Sequence, residues 1–361
     1  MTMKRIIWKF AFFLPVLILF LSVNYWVDPA NRFSGGKYER GLAELVLAGK
    51  HAANVTDYDE RVFEKFYIAG TTHKKDLIVL GSSRTLPIGA ASGLFRDKNY
   101  FNNSVSGASL EDLMAIYSLW RQKGLLPSAI VLGLDPWMLN RNSGQARWRS
   151  LQADYDAIEE VLWPGSVKPA RRSRFPRDKL LTLFSISYFQ AGWPRILSND
   201  RYYPTTDLSD EHSVKLADGS LLYDKDRREI GPEAVRREAI HLAREEPVYS
   251  LGDFSELDAD AIRNLEAFLG LMKSDGVKVV IYLPPYHPVA YQLLVRSSQY
   301  KIIEDAQKYY RRLAKSMGIR VLGSYDPIES DANGDDFQDG MHIKPSGIRK
   351  ILSALDRRSP A

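Results

Sequence analysis

The sequence predicts an α/β fold: an open, mostly parallel sheet with one N-terminal membrane anchor and a long mixed insertion. Three observations carry this reading. Short apolar runs alternate with amphipathic helical stretches on either side of residues 140–254. Polar segments follow those runs, at the strand ends where open α/β sheets place their active sites. Residues 10–27 form an uncharged stretch that no other part of the chain matches in length.

The elements follow in chain order. After a short basic tail, residues 1–9, comes "FAFFLPVLILFLSVNYWV" at 10–27. Its length as a helix is ~27 Å, close to the ~30 Å of a bilayer core. Lys4, Arg5 and Lys9 precede it and Asp28 follows, which leaves the N-terminus in the cytoplasm and exports the rest. The bulky "NYWVDPANRF" offers no small-residue cleavage site, so an uncleaved single-pass anchor is expected rather than a removed signal peptide. The expected location is the inner (cytoplasmic) membrane, with the body in the periplasm. Residues 28–75 read as linker and lead-in.

"DLIVL" (76–80) reads as a buried strand that breaks on Gly81, and "NYFNNSV" (99–105) as a weaker strand. "SLEDLMAIYSLWRQKG" (109–124) reads as a helix, with Ser109 and Asp112 at capping-box spacing and Gly124 as its stop. "SAIVLGLD" (128–135) is the next strand. Beyond the insertion, a helix ending at Gly276 precedes the strand "VKVVIYLPP". A helix over 299–318, a strand over 319–323 and a closing helix "PSGIRKILSAL" complete the alternation. Helices between strands imply parallel pairing through right-handed crossovers. The sheet domain therefore comprises 76–139 and 255–361.

Residues 140–254 break the pattern. They hold a basic run, "KPARRSRFPRDK" (168–179), a hairpin signal at Asp218-Gly219, and many aromatics, among them Trp148, Trp163, Phe175, Tyr188, Trp193 and Tyr202. The aromatics read as a core for the insertion, or as a stacking surface for sugar rings.

Composition narrows the function. A net charge of +5 over 361 residues suits an anionic polymer or a membrane surface, and is too diffuse to argue for nucleic acid. The absence of Cys excludes disulfides and thiolate metal sites. No two histidines share helical spacing, so neither a metal site nor a cofactor is expected.

Of the six histidines, only His287 and His342 fall on the rim of the expected sheet. His342 stands in "FQDGMHIKPSG", with Asp339 three residues before it. On a loop, that carboxylate can bind one imidazole nitrogen and leave the other for a nucleophile. Ser83, in "GSSRT" after the first sheet strand, is the candidate nucleophile. His287 in "PPYHP" and Trp137 in "LDPW" are further rim residues that a substrate could touch.

These blocks resemble the SGNH (GDSL-like) hydrolases, whose nucleophile is the third residue of the first block, here Ser83 of "GSS". The resemblance implies a three-layer α/β sandwich with a flavodoxin-like sheet. It also implies Asp339 and His342 as catalytic partners. "NNSVSGAS" matches the second block, with Ser104 at the aligned position and Gly107 three residues on. The third block departs from the pattern: "GLDP" puts Asp135 where the family has a donating Asn. An ionised Asp repels an oxyanion. Either Asp135 is structural, ordering the rim or pairing with Arg84, or the oxyanion site uses backbone N–H groups of Ser83 and the Ser104–Gly107 segment. Arg84 itself either holds an anion or satisfies Asp135.

The anchor narrows the likeness to membrane-anchored SGNH-like proteins. They include the O-acetyltransferases of alginate-type exopolysaccharide systems and the D-alanyl-lipoteichoic acid transfer protein. That branch implies acyl transfer, O-acetyl in the first instance, to a cell-surface or exported polysaccharide through an acyl-serine. It also implies a multi-pass membrane-bound O-acyltransferase as partner and donor. A carbohydrate esterase and a non-catalytic scaffold in an export complex remain as alternatives.

Overall fold

The structure is a computed structural model, and it describes residues 3–28, 33, 35–95, 97–165, 181–186, 189–190 and 202–356. Its strands are β1 (His51–Ala53), β2 (Leu77–Leu80), β3 (Tyr100–Asn102), β4 (Ala129–Gly133), β5 (Tyr203–Thr205), β6 (Val214–Lys215), β7 (Leu221–Leu222), β8 (Lys278–Leu283) and β9 (Arg320–Gly323). We number the helices α1 (Met3–Val27), α2 (Lys37–Leu47), α3 (Glu60–Gly70), α4 (Leu110–Lys123), α5 (Gln152–Leu162) and α6 (Lys225–Arg228). They continue as α7 (Pro232–Arg244), α8 (Ala259–Ser274), α9 (Pro288–Arg296), α10 (Ile302–Met317) and α11 (Pro345–Asp356).

The main sheet has five parallel strands in the order β3-β2-β4-β8-β9. Numbered within the sheet this is 2-1-3-4-5, so the order reverses between β2 and β4, which opens a crevice at their carboxyl ends. β2 is buried along its whole length, which is why it reads as an unbroken apolar run. Alternate side chains feed two cores. Ile78, Leu80, Ile130 and Leu132 join the helices α3, α4, α8 and α10, whereas Val79, Val131 and Tyr282 join Ile348 and Leu352 of α11. The sheet is thus covered on both faces. α4 starts on the expected capping box, the Ser109 amide donating to Asp112 at 2.9 Å, and ends at Gly124 with φ 71°.

Two regions differ from the sequence reading, the lead-in and the insertion. The stretch 28–75 contains α2, β1 and α3, which pack together through Leu42, Val46, Phe63 and Tyr67. Their apolar stripes are short and interrupted by charged residues that turn out to be buried, Glu39, Arg61 and Glu64. A second, antiparallel sheet, β5-β1-β6-β7, joins this stretch to the insertion, and the expected hairpin at Asp218-Gly219 forms its β6–β7 turn. At the N-terminus, α1 carries exposed Leu14, Val16, Leu17, Ile18 and Leu19. Among the described residues no helix is long and apolar enough to cross a membrane, and the side chains before Leu14 lie outside the description. The basic run 168–179 and Phe175, Tyr188 and Trp193 also lie outside the described residues.

Glu64 shows what burial costs here. It is fully buried and accepts from the Asn103 amide at 2.6 Å, while Asn103 accepts the Trp120 indole N–H at 3.2 Å. Burial pushes its carboxyl up to about 8, against the pull of Lys215 and the Asn103 hydrogen bond. The folded state therefore holds a proton that an unfolded Glu releases near pH 4–5. Stability falls as pH rises from there to about 8, by up to ~1.4 kcal/mol per pH unit from this group. We expect Glu64→Gln to raise the melting temperature at pH 8 and to lose that advantage towards pH 5. Equal melting curves at both pH values would mean that Glu64 is ionised in the fold.

Candidate active site

Ser83 opens a short 3-10 turn, Ser83–Thr85, placed by Gly81 directly beyond β2. The turn is built tightly. Ser82 Oγ accepts from the Arg84 amide at 3.2 Å, and the Thr85 hydroxyl sits 2.7 Å from both the Ser82 carbonyl and Ser104 Oγ. Asn102, ending β3, donates its side-chain amide to the carbonyls of Thr85, Leu86 and Ile88 at 2.8–3.1 Å. Ser83 thus sits on a turn fixed by the hydrogen bonds of Ser82, Thr85 and Asn102.

The loop before α11 brings up the other two residues. His342 Nε2 lies 2.8 Å from Ser83 Oγ, and His342 Nδ1 lies 2.7 Å from Asp339 Oδ2. The tautomer that fits donates Nδ1–H to Asp339 and accepts the Ser83 hydroxyl at Nε2. Asp339 Oδ1 meanwhile accepts the amides of Met341 at 2.8 Å and His342 at 2.7 Å. Burial pushes the Asp339 carboxyl up, but the His342 charge and these hydrogen bonds outweigh it and hold the group down at about 2. It is a carboxylate wherever an imidazole titrates.

Arg84 and Asp135 form a buried ion pair at 2.8 Å. Arg84 donates three further hydrogen bonds, to Met341 O at 3.0 Å, Pro284 O at 2.6 Å and Pro285 O at 2.8 Å, with its guanidinium 4.2 Å over the Tyr286 ring. Neither residue lines the cavity beside Ser83, so of the two roles open to Arg84 the structure leaves the one that satisfies Asp135. Ser104 is also buried, its amide taken by Asn102 Oδ1 at 2.9 Å, so it does not reach an oxyanion.

Gly107 does line the cavity, together with Ser83 and His342. The Ser106–Gly107 peptide is fixed from behind. Arg61 donates to Ser106 O at 3.0 Å and is itself paired with Asp112, while Glu60 accepts the Ser106 amide and hydroxyl. In a trans peptide the N–H points opposite to the carbonyl, so the Gly107 N–H faces away from Arg61. Among the described residues, neither the Ser83 nor the Gly107 amide has a hydrogen-bond partner.

His287 and Trp137, expected on the rim, are buried behind it. His287 caps α9 by accepting the Val289 amide at 3.1 Å, and burial lowers its affinity for a proton. Trp137 donates to Ala108 O at 2.9 Å and stands edge-on to Tyr249, which does line the cavity. Trp148, Trp163 and Tyr202 of the insertion also pack internally: Trp148 on Tyr155, Trp163 on Asn264 and Tyr202 on Tyr38.

The cavity measures about 600 Å³. Its outer wall comes from the insertion, through Leu221, Tyr223, Arg227, Glu238, Leu242 and Tyr249. Tyr223 is the residue nearest the chemistry that sequence reasoning missed: its hydroxyl donates to Ser83 O at 3.3 Å and its ring lies 6.1 Å from that of His342. A lone Tyr just past a two-residue strand leaves no pattern to find. Glu60 and Arg61 were missed because they sit in a stretch that reads as linker; Asp59, accepting from the Arg61 and Val62 amides as a helix N-cap, was the available signal.

Residues 53–356 match the model of a family described as "Protein of unknown function (DUF1574)". No curated protein matches the chain.

Proposed function

We propose that this chain, which belongs to the DUF1574 family by a match over most of its length, is a serine-dependent acyltransferase of the SGNH type. The observation that carries the reading is the hydrogen-bonded row Ser83–His342–Asp339, open to a cavity at the carboxyl end of β2. Ser83 Oγ attacks the carbonyl carbon of an acyl donor while His342 Nε2 takes its proton. The carbonyl re-forms, the bond to the donor's alcohol breaks, and His342 returns the proton to that leaving oxygen. An acceptor hydroxyl then repeats the sequence on the acyl-serine, and Ser83 regains its proton. Asp339 orients the imidazole and balances its transient charge. The unpaired Ser83 and Gly107 amides supply the oxyanion donors, which removes the need for the side-chain donor that Asp135 cannot be.

The acceptor in this reading is a hydroxyl of a cell-surface or exported polysaccharide. The stretch 10–27 holds the chain in the inner membrane with its body in the periplasm, beside a multi-pass membrane-bound O-acyltransferase that supplies the acyl group. Exposed Leu14 and Val16–Leu19 on α1 support an apolar environment for that segment.

The test is intact-mass analysis of the full chain in detergent after exposure to p-nitrophenyl acetate. We expect wild type to gain one acetyl and Ser83→Ala to gain none. Fast Ser83-dependent acetate release with no adduct would turn the reading towards an esterase. An adduct that persists in Ser83→Ala, or no reaction in either protein, would remove the acyl-serine step.

A further inference from the structure

We infer that the cavity beside Ser83 is an acyl-chain pocket, and that the group carried is an uncharged aliphatic acyl chain longer than acetyl. The inference rests on the acyl-serine reading above and deepens it.

Apolar side chains line the cavity beside Ser83 from both walls. Leu86 follows the Ser83 turn, and its carbonyl accepts the Leu221 amide at 3.0 Å, which brings the insertion's hairpin onto the turn. Met341 adjoins His342, and its carbonyl is tied down by Arg84. Leu242 of α7 packs on Gly340, where an added Cβ would meet Leu242 Cδ2 at 2.6 Å. Tyr223 lies across the Ser83–His342 pair with its ring towards the imidazole. All of these line the one cavity of about 600 Å³, far more space than two carbons and an oxygen fill.

The acids and bases on that cavity stand in pairs, and the acids outnumber the arginines. Arg227 pairs with Glu238 at 2.5 Å, His241 with Glu245 at 3.3 Å, and His342 with Asp339. Among the described lining residues Arg227 is the one Lys or Arg, set against the carboxylates of Glu238, Glu245 and Asp339, and the Arg147 guanidinium lies outside the lining, against Gly107. An anionic acyl group would be desolvated there beside three carboxylates, whereas each methylene of a neutral chain gains from leaving water.

The experiment is a chain-length series on the full-length protein in detergent: p-nitrophenyl acetate, butyrate, hexanoate and octanoate, with the Ser83-dependent acylation rate as kcat/KM. Wild type should gain about fourfold per methylene over the first several carbons. Leu242→Trp, which fills the outer wall, and Leu86→Trp, which fills the inner one, should each lower the octanoate-to-acetate ratio. That ratio is read within one protein, so loss of folded material does not move it. A flat or falling series in wild type, with acetate still labelling Ser83, overturns the acyl pocket and leaves the acyltransferase reading standing. Ratios unchanged by both variants overturn it as well, because the gain then reflects the ester and not the cavity. No Ser83-dependent reaction with any ester removes the reading on which the inference rests.

Discussion

Asp339→Asn lowers kcat by about 10⁴-fold while the protein stays folded at neutral pH. The carboxylate accepts from three donors at once, His342 Nδ1–H and two backbone amides, which a neutral amide oxygen does less well. An Asn can also turn its N–H₂ towards His342 and stabilise the tautomer with the proton on Nε2, the one that cannot accept from Ser83. KM, which reports the cavity walls, should change little, and a drop confined to KM would show that Asp339 does not orient the imidazole. The same residue separates two effects of pH. Its carboxyl titrates at about 2 in the fold against an ordinary 3.8, so the stability it lends is complete above about pH 4 and is lost as pH falls through 2. The shift is worth about 2 kcal/mol. Between pH 7 and 4 Asp339 does not change charge, so a fall in rate there does not come from Asp339, and the urea midpoint of Asp339→Asn should approach that of wild type only near pH 2.

How much of this was legible depended on how each element earns its stability. β2 and β4 are buried on both faces, so they appear as bare apolar runs, and the helices between them carry their own caps, as Ser109 and Gly124 do for α4. The five strands and their helices are therefore readable one at a time. The antiparallel sheet is not: β1 has three residues and exists because Tyr203–Thr205 and Val214–Lys215 come to it from far along the chain. α2 and α3 hide for a different reason, since Arg61 and Glu64 look like solvent-facing charges and are buried on a partner. The site divides in the same way. Ser83, Asp339 and His342 could be found by residue type and position relative to strand ends. The Arg84–Asp135 pairing was one of two roles the sequence left open, whereas Glu60 under the Ser106–Gly107 peptide and Tyr223 beside Ser83 are defined by what they touch, and no spacing encodes that.

Arg84→Met destabilises the fold by about 3–5 kcal/mol, the usual cost of leaving one charge of a buried pair uncompensated. Among the described residues no other cation contacts Asp135, and burial already pushes its carboxyl up against the pull of Arg84. Removing that charge as well, in Arg84→Met with Asp135→Leu, should recover most of the loss in urea unfolding, because a well-packed apolar pair often equals a buried ion pair. Activity should not return with stability. Arg84 also donates to Met341 O, the carbonyl beside His342, and to Pro284 O and Pro285 O at the end of β8, so it ties the loop carrying the imidazole to the turn carrying Ser83. Neither Met nor Leu replaces those donors, and a shift of about 1 Å between nucleophile and base costs on the order of 10²-fold in rate. A double variant as unstable as the single would place the cost in the lost carbonyl contacts and not in the charge. A double variant that regains full kcat would show that Arg84 holds the fold and plays no part in positioning His342.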